Sequence, residues 1–237
     1  MLQDIHLMID QELIKRIIKA SRLKSKDKVL EIGSGTGYLT EFLLKKCPTT
    51  VIEPNKEFVK ILEDKFSNNK NFKLIEGSIF DIKFPKVNKI VSNLPYSICE
   101  PLLWLLIRNK FELAVLTVPK KFSEKLLGEK SKLSILVKEV FIVELLEDVH
   151  KSAFNPQPKV GSAVIRIKLN KKRSKLKKIL IQYDKALKNA LIKEYRKTMT
   201  NKEAKEKVKE LNFSSKMINT KVLNLSLKEL KILEEVL

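Results

Sequence analysis

Residues 29–40, Val-Leu-Glu-Ile-Gly-Ser-Gly-Thr-Gly-Tyr-Leu-Thr, decide the fold of this chain. A mostly apolar run of strand type ends at Ile32, and three alternating glycines follow: Gly33, Gly35 and Gly37. A helical pattern begins at once, at Tyr38, and continues to about Lys46. Open α/β sheets build nucleotide sites from a strand, a glycine turn and a helix. Glycine lets backbone approach a ligand closely, and the helix start presents free N–H groups. The stretch therefore predicts an α/β domain with a ligand site at this turn.

The glycine spacing narrows the type of ligand. It is G-x-G-x-G, with Glu31 two residues ahead, whereas the dinucleotide fingerprint is G-x-G-x-x-G. The spacing resembles the S-adenosylmethionine (AdoMet) loop of Rossmann-like methyltransferases, which wraps an amino acid and a nucleoside. The alternative is an ordinary turn between strand and helix. Glu53 ends the next predicted strand, where a carboxylate holds a ribose diol and repels phosphate. Its alternative is an acidic start to the following helix.

Composition indicates an anionic partner. The chain has 237 residues, enough for one large domain and a small one, and a net charge of +20. Residues 171–237 alone hold 19 Lys and Arg against 8 Asp and Glu. Such an excess favours a polyanion or an anionic surface as partner, although a solvated lysine-rich surface is the alternative.

Cysteines and hydropathy indicate an intracellular protein. Cys47 and Cys99 form neither a disulfide framework nor a metal-binding spacing. There is no signal-peptide pattern and no apolar run of transmembrane length. We therefore expect a soluble, cytoplasmic, monomeric protein without a metal or a membrane partner.

A tetrapeptide after the fourth predicted strand carries the chemistry: Asn93, Leu94, Pro95 and Tyr96. An exocyclic adenine amine is a poor nucleophile because its lone pair is delocalised into the ring. The Asn93 amide oxygen and the Leu94 carbonyl can each accept one amine hydrogen and so aim the lone pair at a methyl group. Pro95 stiffens the turn, and Tyr96 offers a flat face to a flipped base. A plain turn is the alternative.

The tetrapeptide continues as Asn-Leu-Pro-Tyr-Ser-Ile at 93–98, and residues 154–164 are Phe-Asn-Pro-Gln-Pro-Lys-Val-Gly-Ser-Ala-Val. Together with the glycine loop, these motifs resemble the rRNA adenine N6-dimethyltransferases over nearly the whole chain. The resemblance implies a Rossmann-like class I AdoMet methyltransferase with a mostly parallel seven-stranded sheet and a small C-terminal all-helical domain. It also implies N6,N6-dimethylation of two adjacent adenosines in the hairpin near the 3′ end of small-subunit rRNA, in ribosome biogenesis. Phe154 is then expected to stack on the target base, opposite Tyr96.

The resemblance assigns the cofactor and RNA contacts. The AdoMet residues are expected to be His6, Leu7, Glu31, Gly33, Gly35, Gly37, Glu53, Ser78 and Asn93. We place the catalytic domain at 1–169 and a basic helical rRNA-docking domain at 170–237. The RNA-binding residues are expected to be Lys120, Lys121, Lys171, Lys172, Arg173, Arg196 and Lys197.

Two departures from the family pattern predict weaker AdoMet binding. Ile5 stands where the family has Gln, and Ser78 stands where it has Asp. A net hydrogen bond is worth about 0.5–1.5 kcal/mol, so two losses weaken binding without abolishing it. The alternatives to an active enzyme of this class are therefore a catalytically weakened rRNA-binding assembly factor and a large-subunit rRNA adenine N6-methyltransferase.

Overall fold

The computed structural model describes residues 5–128, 131–171 and 175–237. Its strands are β1 (Leu7–Met8), β2 (Val29–Ile32), β3 (Thr49–Glu53), β4 (Phe72–Glu76), β5 (Lys89–Asn93), β6 (Leu113–Pro119), β7 (Phe141–Val149), β8 (Phe154–Asn155) and β9 (Ser162–Leu169). Its helices are α1 (Gln11–Ser21), α2 (Tyr38–Leu44), α3 (Lys56–Phe66), α4 (Cys99–Arg108), α5 (Lys120–Leu127), α6 (Lys132–Val140), α7 (Lys175–Leu180), α8 (Leu187–Tyr195), α9 (Asn201–Glu210), α10 (Ser215–Asn219) and α11 (Leu227–Val236). Three 3₁₀ turns in these ranges lie at Tyr96–Ile98, Lys151–Ala153 and Val222–Asn224.

The central sheet positions the site. Among the described residues it has seven strands, in the order β4-β3-β2-β5-β6-β9-β7. The strands from β4 to β6 are parallel, and β9 runs antiparallel to β6. The chain moves outward in one direction from β2 and in the other from β5, so a crevice opens between their carboxyl ends. The expected mostly parallel seven-stranded sheet is confirmed.

Burial explains why β2 and β5 lie at the centre. All four residues of β2 and the first four of β5 are buried, as expected of parallel strands covered on both faces. On one face, α1 buries Leu13, Ile14, Ile17 and Ile18, the apolar face that its sequence period predicts. The Asp10 side chain caps this helix by accepting from the Leu13 N–H at 3.0 Å.

The chain divides into two compact units. The first comprises the described parts of residues 1–127 and 142–169, and the second those of 128–141 and 170–237. The predicted division after residue 169 agrees with these units except for residues 128–141, which contain α6 and belong to the second unit. In α6, Leu133, Val137 and Val140 are buried, and the helix packs against α7 and α11. The functional roles expected of the two domains stay predictions.

The second unit is helical within the described residues, as expected, but one of its predicted helices is divided into two. The sequence predicts one helix over about 175–194, whereas α7 ends at Leu180 and α8 begins at Leu187. The intervening carbonyl groups of Tyr183 and Lys185 accept hydrogen bonds from Leu223 and Val222 instead of continuing a helix. Ser226 followed three residues later by Glu229 is a sequence pattern that predicts a capping box, and this box is present at the start of α11. The short helix α10 was not predicted.

Candidate active site

A cavity of about 900 Å³ opens between the carboxyl ends of β2 and β5. Its wall is formed by Ile5–Met8, Glu31–Gly35, Tyr38, Leu39, Ile52–Asn55, Phe58, Gly77–Phe80, Asn93, Pro95, Ser97 and Ile98. The residues predicted to bind cofactor all lie in this wall except Gly37. The structure thus brings together five separate stretches of sequence around one cavity.

The glycine loop adopts a backbone that other residues rarely adopt. Gly33, Gly35 and Gly37 have φ angles of +69°, +56° and +85°. A Cβ atom on Gly35 would lie 2.3 Å from Leu7 Cδ2, and one on Gly33 would lie 3.1 Å from Pro95 Cδ. Gly37 instead packs against Phe66 and caps the start of α2. The first two glycines therefore let the N-terminal segment and the Asn-Leu-Pro-Tyr turn approach the loop closely.

Two buried carboxyl groups lie in the cavity wall. Glu31 is 1% exposed and accepts from Thr40 Oγ1 at 2.6 Å. Burial raises the pKa of Glu31 to about 8; the Thr40 bond opposes this rise and the charge of Glu53 adds to it. Glu53 accepts from the backbone N–H groups of Gly35 and Asn55, each at 3.0 Å, and burial raises its pKa as well. These carboxyl groups favour a cationic or hydroxyl-bearing ligand over a phosphate.

An apolar part of the wall was missed by the site predictions. It consists of Ile52, Phe58, Ile79 and Phe80, and the Phe80 side chain is 43% exposed. These residues lie at or beyond the ends of β3 and β4. Their position after predicted strands was the one feature of the sequence that could have identified them as site residues. Ser78 lines the same region, and its hydroxyl oxygen accepts from the Phe80 N–H at 3.2 Å. The surface suits a planar ring.

Asn93 has its side-chain amide oriented by the main chain of His6. The Asn93 Nδ2 donates to the His6 carbonyl oxygen at 2.8 Å. Because a carbonyl only accepts, this bond assigns Nδ2 to His6 and leaves Oδ1 as the acceptor for a ligand. The Leu94 N–H donates to the Thr117 carbonyl at 3.1 Å, which anchors the turn on β6. The sequence offered no signal for the His6 carbonyl, because any residue supplies one.

Tyr96 is held by a bond to a buried serine. Its hydroxyl group lies 2.5 Å from Ser162 Oγ, and Ser162 is fully buried at the start of β9. The Tyr96 ring centroid lies 5.5 Å from that of His6, at an interplanar angle of 45°. The ring is half-buried, beside the cavity rather than in its lining. The hydroxyl bond fixes where the ring face points.

Phe154 lies in the core, not in the cavity wall. It is 2% exposed and packs in the cluster that contains Met8, Leu13 and Ile14. Its backbone belongs to β8, which pairs antiparallel with β1 so that Met8 faces Phe154. At this depth the ring presents no face to a base in the cavity, contrary to the expected arrangement opposite Tyr96. A stacking role would require the ring to leave the core, and it stays a prediction.

The N-terminal segment joins the motifs. His6 Nδ1 lies 2.9 Å from the Pro156 carbonyl oxygen, and Leu7 covers Gly35. With the bond from Asn93 to His6, residues 6–8 touch the glycine loop, the tetrapeptide turn and the proline-rich loop. An apolar stretch that leads into a helix, as residues 5–9 do, predicts a lid or a packing strand. The structure forms this strand as β1, and it closes one side of the cavity.

The basic residues predicted to bind RNA differ in availability. In the first unit, Lys120 pairs with Asp148 at 2.6 Å, whereas Lys121 is exposed and has no carboxylate partner among the described residues. In the second unit, Lys197 pairs with Glu194. Lys171 and Arg196 are exposed and have no such partner within the described ranges. Lys172 and Arg173 lie outside the residues that the structure describes.

Among the described residues, no group of three or more His, Cys, Asp or Glu side chains is arranged to hold a metal ion. None of the helices seen there has the length and apolar character needed to cross a membrane.

Comparison with known proteins gives consistent matches. A family model described as ribosomal RNA adenine dimethylase matches residues 4–236. A curated relative from Methanococcoides burtonii, named "Probable ribosomal RNA small subunit methyltransferase A", is 36% identical over 170 residues, which are 69% of this chain and 63% of that protein. The matched part therefore spans less than two thirds of that relative.

Two solved structures extend over almost the whole chain. A dimethyladenosine transferase from Plasmodium falciparum has a TM-score of 0.69 and 27% identity, over 97% of each chain. The 23S rRNA methyltransferase ErmE has a TM-score of 0.67 and 20% identity, over 98% of this chain and 99% of its own. The expected Rossmann-like methyltransferase fold is confirmed by these neighbours.

Proposed function

The chain belongs to the ribosomal RNA adenine dimethylase family, and from that membership we propose that it is an AdoMet-dependent rRNA adenine N6-dimethyltransferase. Membership confirms the resemblance carried by residues 93–98 and 154–164. The proposed substrate is a pair of adjacent adenosines in the hairpin near the 3′ end of small-subunit rRNA, within the immature small subunit. The observation that carries the proposal is the Asn93 amide, oriented by His6 so that Oδ1 is the acceptor at the rim of a cavity lined by the glycine loop.

The cavity residues fit AdoMet. Glu31 is a carboxyl group for the cofactor's ammonium, and Glu53 is one for its ribose hydroxyls. Ile52, Phe58 and Phe80 provide an apolar surface for the adenine ring. Two buried carboxyl groups disfavour a phosphate-bearing cofactor. When bound, AdoMet supplies an electrophilic sulfonium methyl group whose leaving group is a neutral thioether.

The protein's contribution to the transfer is positioning. Asn93 Oδ1 and the Leu94 carbonyl each accept a hydrogen of the adenine amine, which localises the nitrogen lone pair. With AdoMet held by the cavity residues, that aligned lone pair would be the nucleophile for the methyl group that the cofactor supplies. The amine then releases one proton to solvent. Fixed acceptors of this kind act without reorganisation during the reaction.

Capture of the target base is assigned to Tyr96. Its hydroxyl bond to Ser162 holds the ring while a flipped adenine stacks on it, at a cost of a few kcal/mol of unstacking. Three exposed cations, which have no carboxylate partner within the described ranges, are proposed to contact rRNA phosphates: Lys121, Lys171 and Arg196. Lys120 and Lys197 are weaker candidates than their sequence suggested, because each already has a carboxylate partner.

A weakened rRNA-binding assembly factor is the second candidate. It is favoured by Ser78, which stands where the family has Asp and whose hydroxyl oxygen already accepts a backbone hydrogen bond. The third possibility, a large-subunit rRNA methyltransferase, rests on a structural likeness to ErmE of only 20% identity, which supports the fold alone.

Methyl transfer to purified subunits tests the proposal. Labelled AdoMet, unmodified small subunits and unmodified large subunits are incubated with the protein, and the product is mapped. Label on adjacent adenosines near the 3′ end of small-subunit rRNA supports the proposal. AdoMet binding without transfer supports the assembly factor, and label on large-subunit rRNA alone supports the third possibility. Asn93→Ala serves as the inactive control.

A further inference from the structure

A second cavity, of about 430 Å³, lies at the opposite end of the sheet. Lys28 precedes β2 and Asn88 precedes β5, so this cavity lies at the amino ends of the two strands whose carboxyl ends form the first one. Nothing in the proposed methyl transfer uses it. We call it the lysine pocket, after the four exposed lysines in its wall: Lys26, Lys28, Lys86 and Lys110.

The lysine pocket is strongly positive. None of its four lysines has a carboxylate partner among the described residues. The two adjacent acids are otherwise engaged. Asp27 accepts from the Lys24 N–H and from Asn88 Nδ2, each at 2.8 Å, and Glu112 pairs with Lys89 at 3.5 Å. Four lysines against these two carboxylates leave an excess of positive charge around the pocket, which favours an anionic ligand.

The pocket also contains an aromatic ring. Phe84 is half-buried in its wall, beside Pro85. The neighbouring amides are occupied, because Asn88 bonds Lys28 and Asp27 and Asn109 donates to the Leu105 carbonyl. Few side chains are left to distinguish one base from another. A ring surrounded by cations is the arrangement that holds single-stranded nucleic acid without sequence preference.

We propose that the lysine pocket binds a single-stranded segment of rRNA, with phosphates on its lysines and one base stacked on Phe84. The choice of RNA as the anion rests on the proposed function. β2 has four residues, about 13 Å of strand, so a bound RNA that reaches both cavities passes around the sheet. The pocket is therefore a second anchor for the large substrate.

Charge reversal tests the anchor in the full chain. The variant K28E/K86E/K110E is compared with K46E/K60E/K70E, which makes the same charge change at exposed lysines outside the pocket. Affinity for a labelled single-stranded oligoribonucleotide is measured by fluorescence anisotropy over a range of salt concentrations. The pocket variant is expected to lower the log–log salt slope by about 2, since three phosphate contacts contribute roughly 0.7 each. Phe84→Leu, which keeps an apolar side chain, is expected to weaken binding about fivefold or more with the slope unchanged.

AdoMet binding, measured by calorimetry, is expected to be the same in all variants and reports that each is folded. Equal losses in the two triple variants overturn the proposal, because general electrostatics would then explain the effect. The proposal is also overturned if the pocket variant loses binding to anionic lipid vesicles while its RNA affinity is unchanged. Normal methylation with pocket-independent RNA affinity overturns this inference alone. Pocket-dependent RNA binding by a wild-type protein that methylates no rRNA overturns the proposed function alone.

Discussion

In the variant Glu31→Gln, an amide of nearly the same size replaces a buried carboxyl group in the cavity wall. Glu31 is 1% exposed, and its only described side-chain partner is Thr40 Oγ1, at 2.6 Å. The glutamine oxygen can accept the same bond, so the fold is expected to persist. Burial raises the pKa of Glu31 from 4.5 to about 8. In the protein without AdoMet, the substitution therefore removes one strongly shifted titration and keeps the bond from Thr40.

The pKa shift of Glu31 sets the size and sign of the change in the free energy of unfolding with pH. Because the folded-state pKa exceeds the unfolded-state value, the favourable contribution is complete below pH 4.5 and is lost as pH rises through about 8. One proton changes the free energy of unfolding by about 1.4 kcal/mol per pH unit within that window. From pH 6 to pH 9, wild type is thus expected to lose roughly 2.5 kcal/mol relative to Glu31→Gln.

Urea denaturation at pH 6 and pH 9, without AdoMet, measures this difference. Glu63→Gln, which removes an exposed carboxyl group on α3, is the control and should show little pH-dependent difference from wild type. Glu31→Gln should also bind AdoMet more weakly, since the ammonium loses its carboxylate. A difference between wild type and Glu31→Gln that is the same at both pH values would refute the reasoning about burial.

Asn93→Ala should lower methyl transfer by about 10²-fold or more, measured with labelled AdoMet, because one of two fixed acceptors is lost; near-normal transfer would contradict its role. Tyr96→Phe and Ser162→Ala should each weaken productive rRNA binding, and the double variant should be no worse than either, since they break one bond. Additive losses would mean independent roles. Phe154→Ala should cost about 3–5 kcal/mol of unfolding free energy in urea denaturation, because it empties a core position. A stable but inactive variant would instead favour base stacking. Gly35→Ala should weaken AdoMet binding in calorimetry, because φ at this residue is +56° and the new Cβ would lie 2.3 Å from Leu7 Cδ2 unless that side chain shifts; normal affinity would show that the loop and Leu7 accommodate the methyl group.

Truncation after residue 169 is a poor test of RNA docking by the basic C-terminal region. It would remove α7 and α11, against which α6 packs, and leave the buried face of α6 exposed. Charge reversal at Lys171 and Arg196, two exposed residues, is expected to keep the fold and tests the same idea. A shallower salt dependence of subunit methylation is the expected result.

Local chemistry determined many of the turns and helix starts. Alternating glycines after an apolar run predict a tight turn, and glycine permits the positive φ angles that Gly33, Gly35 and Gly37 adopt. Asp10, Asn55 and Ser226 cap helices where their side chains predict it, since a cap needs only a polar atom within three residues. Such features depend on neighbours in sequence, so the sequence carries them in full.

Tertiary structure decided which distant residues meet. The His6 carbonyl orients Asn93 across 87 positions, and β1 covers Phe154, which the motif alone placed at the substrate. Pairing of Lys120 with Asp148 neutralises a lysine that looked available, and α6 joined the second unit because its apolar face found partners there. Every residue has a main-chain carbonyl, so the sequence does not show which one will orient Asn93. Burial and ion pairing depend on residues that are distant in sequence and become neighbours only in the fold. The spacing of motifs in the sequence therefore located the site. Which side chains contact one another within that site was decided only by the packing of the folded chain.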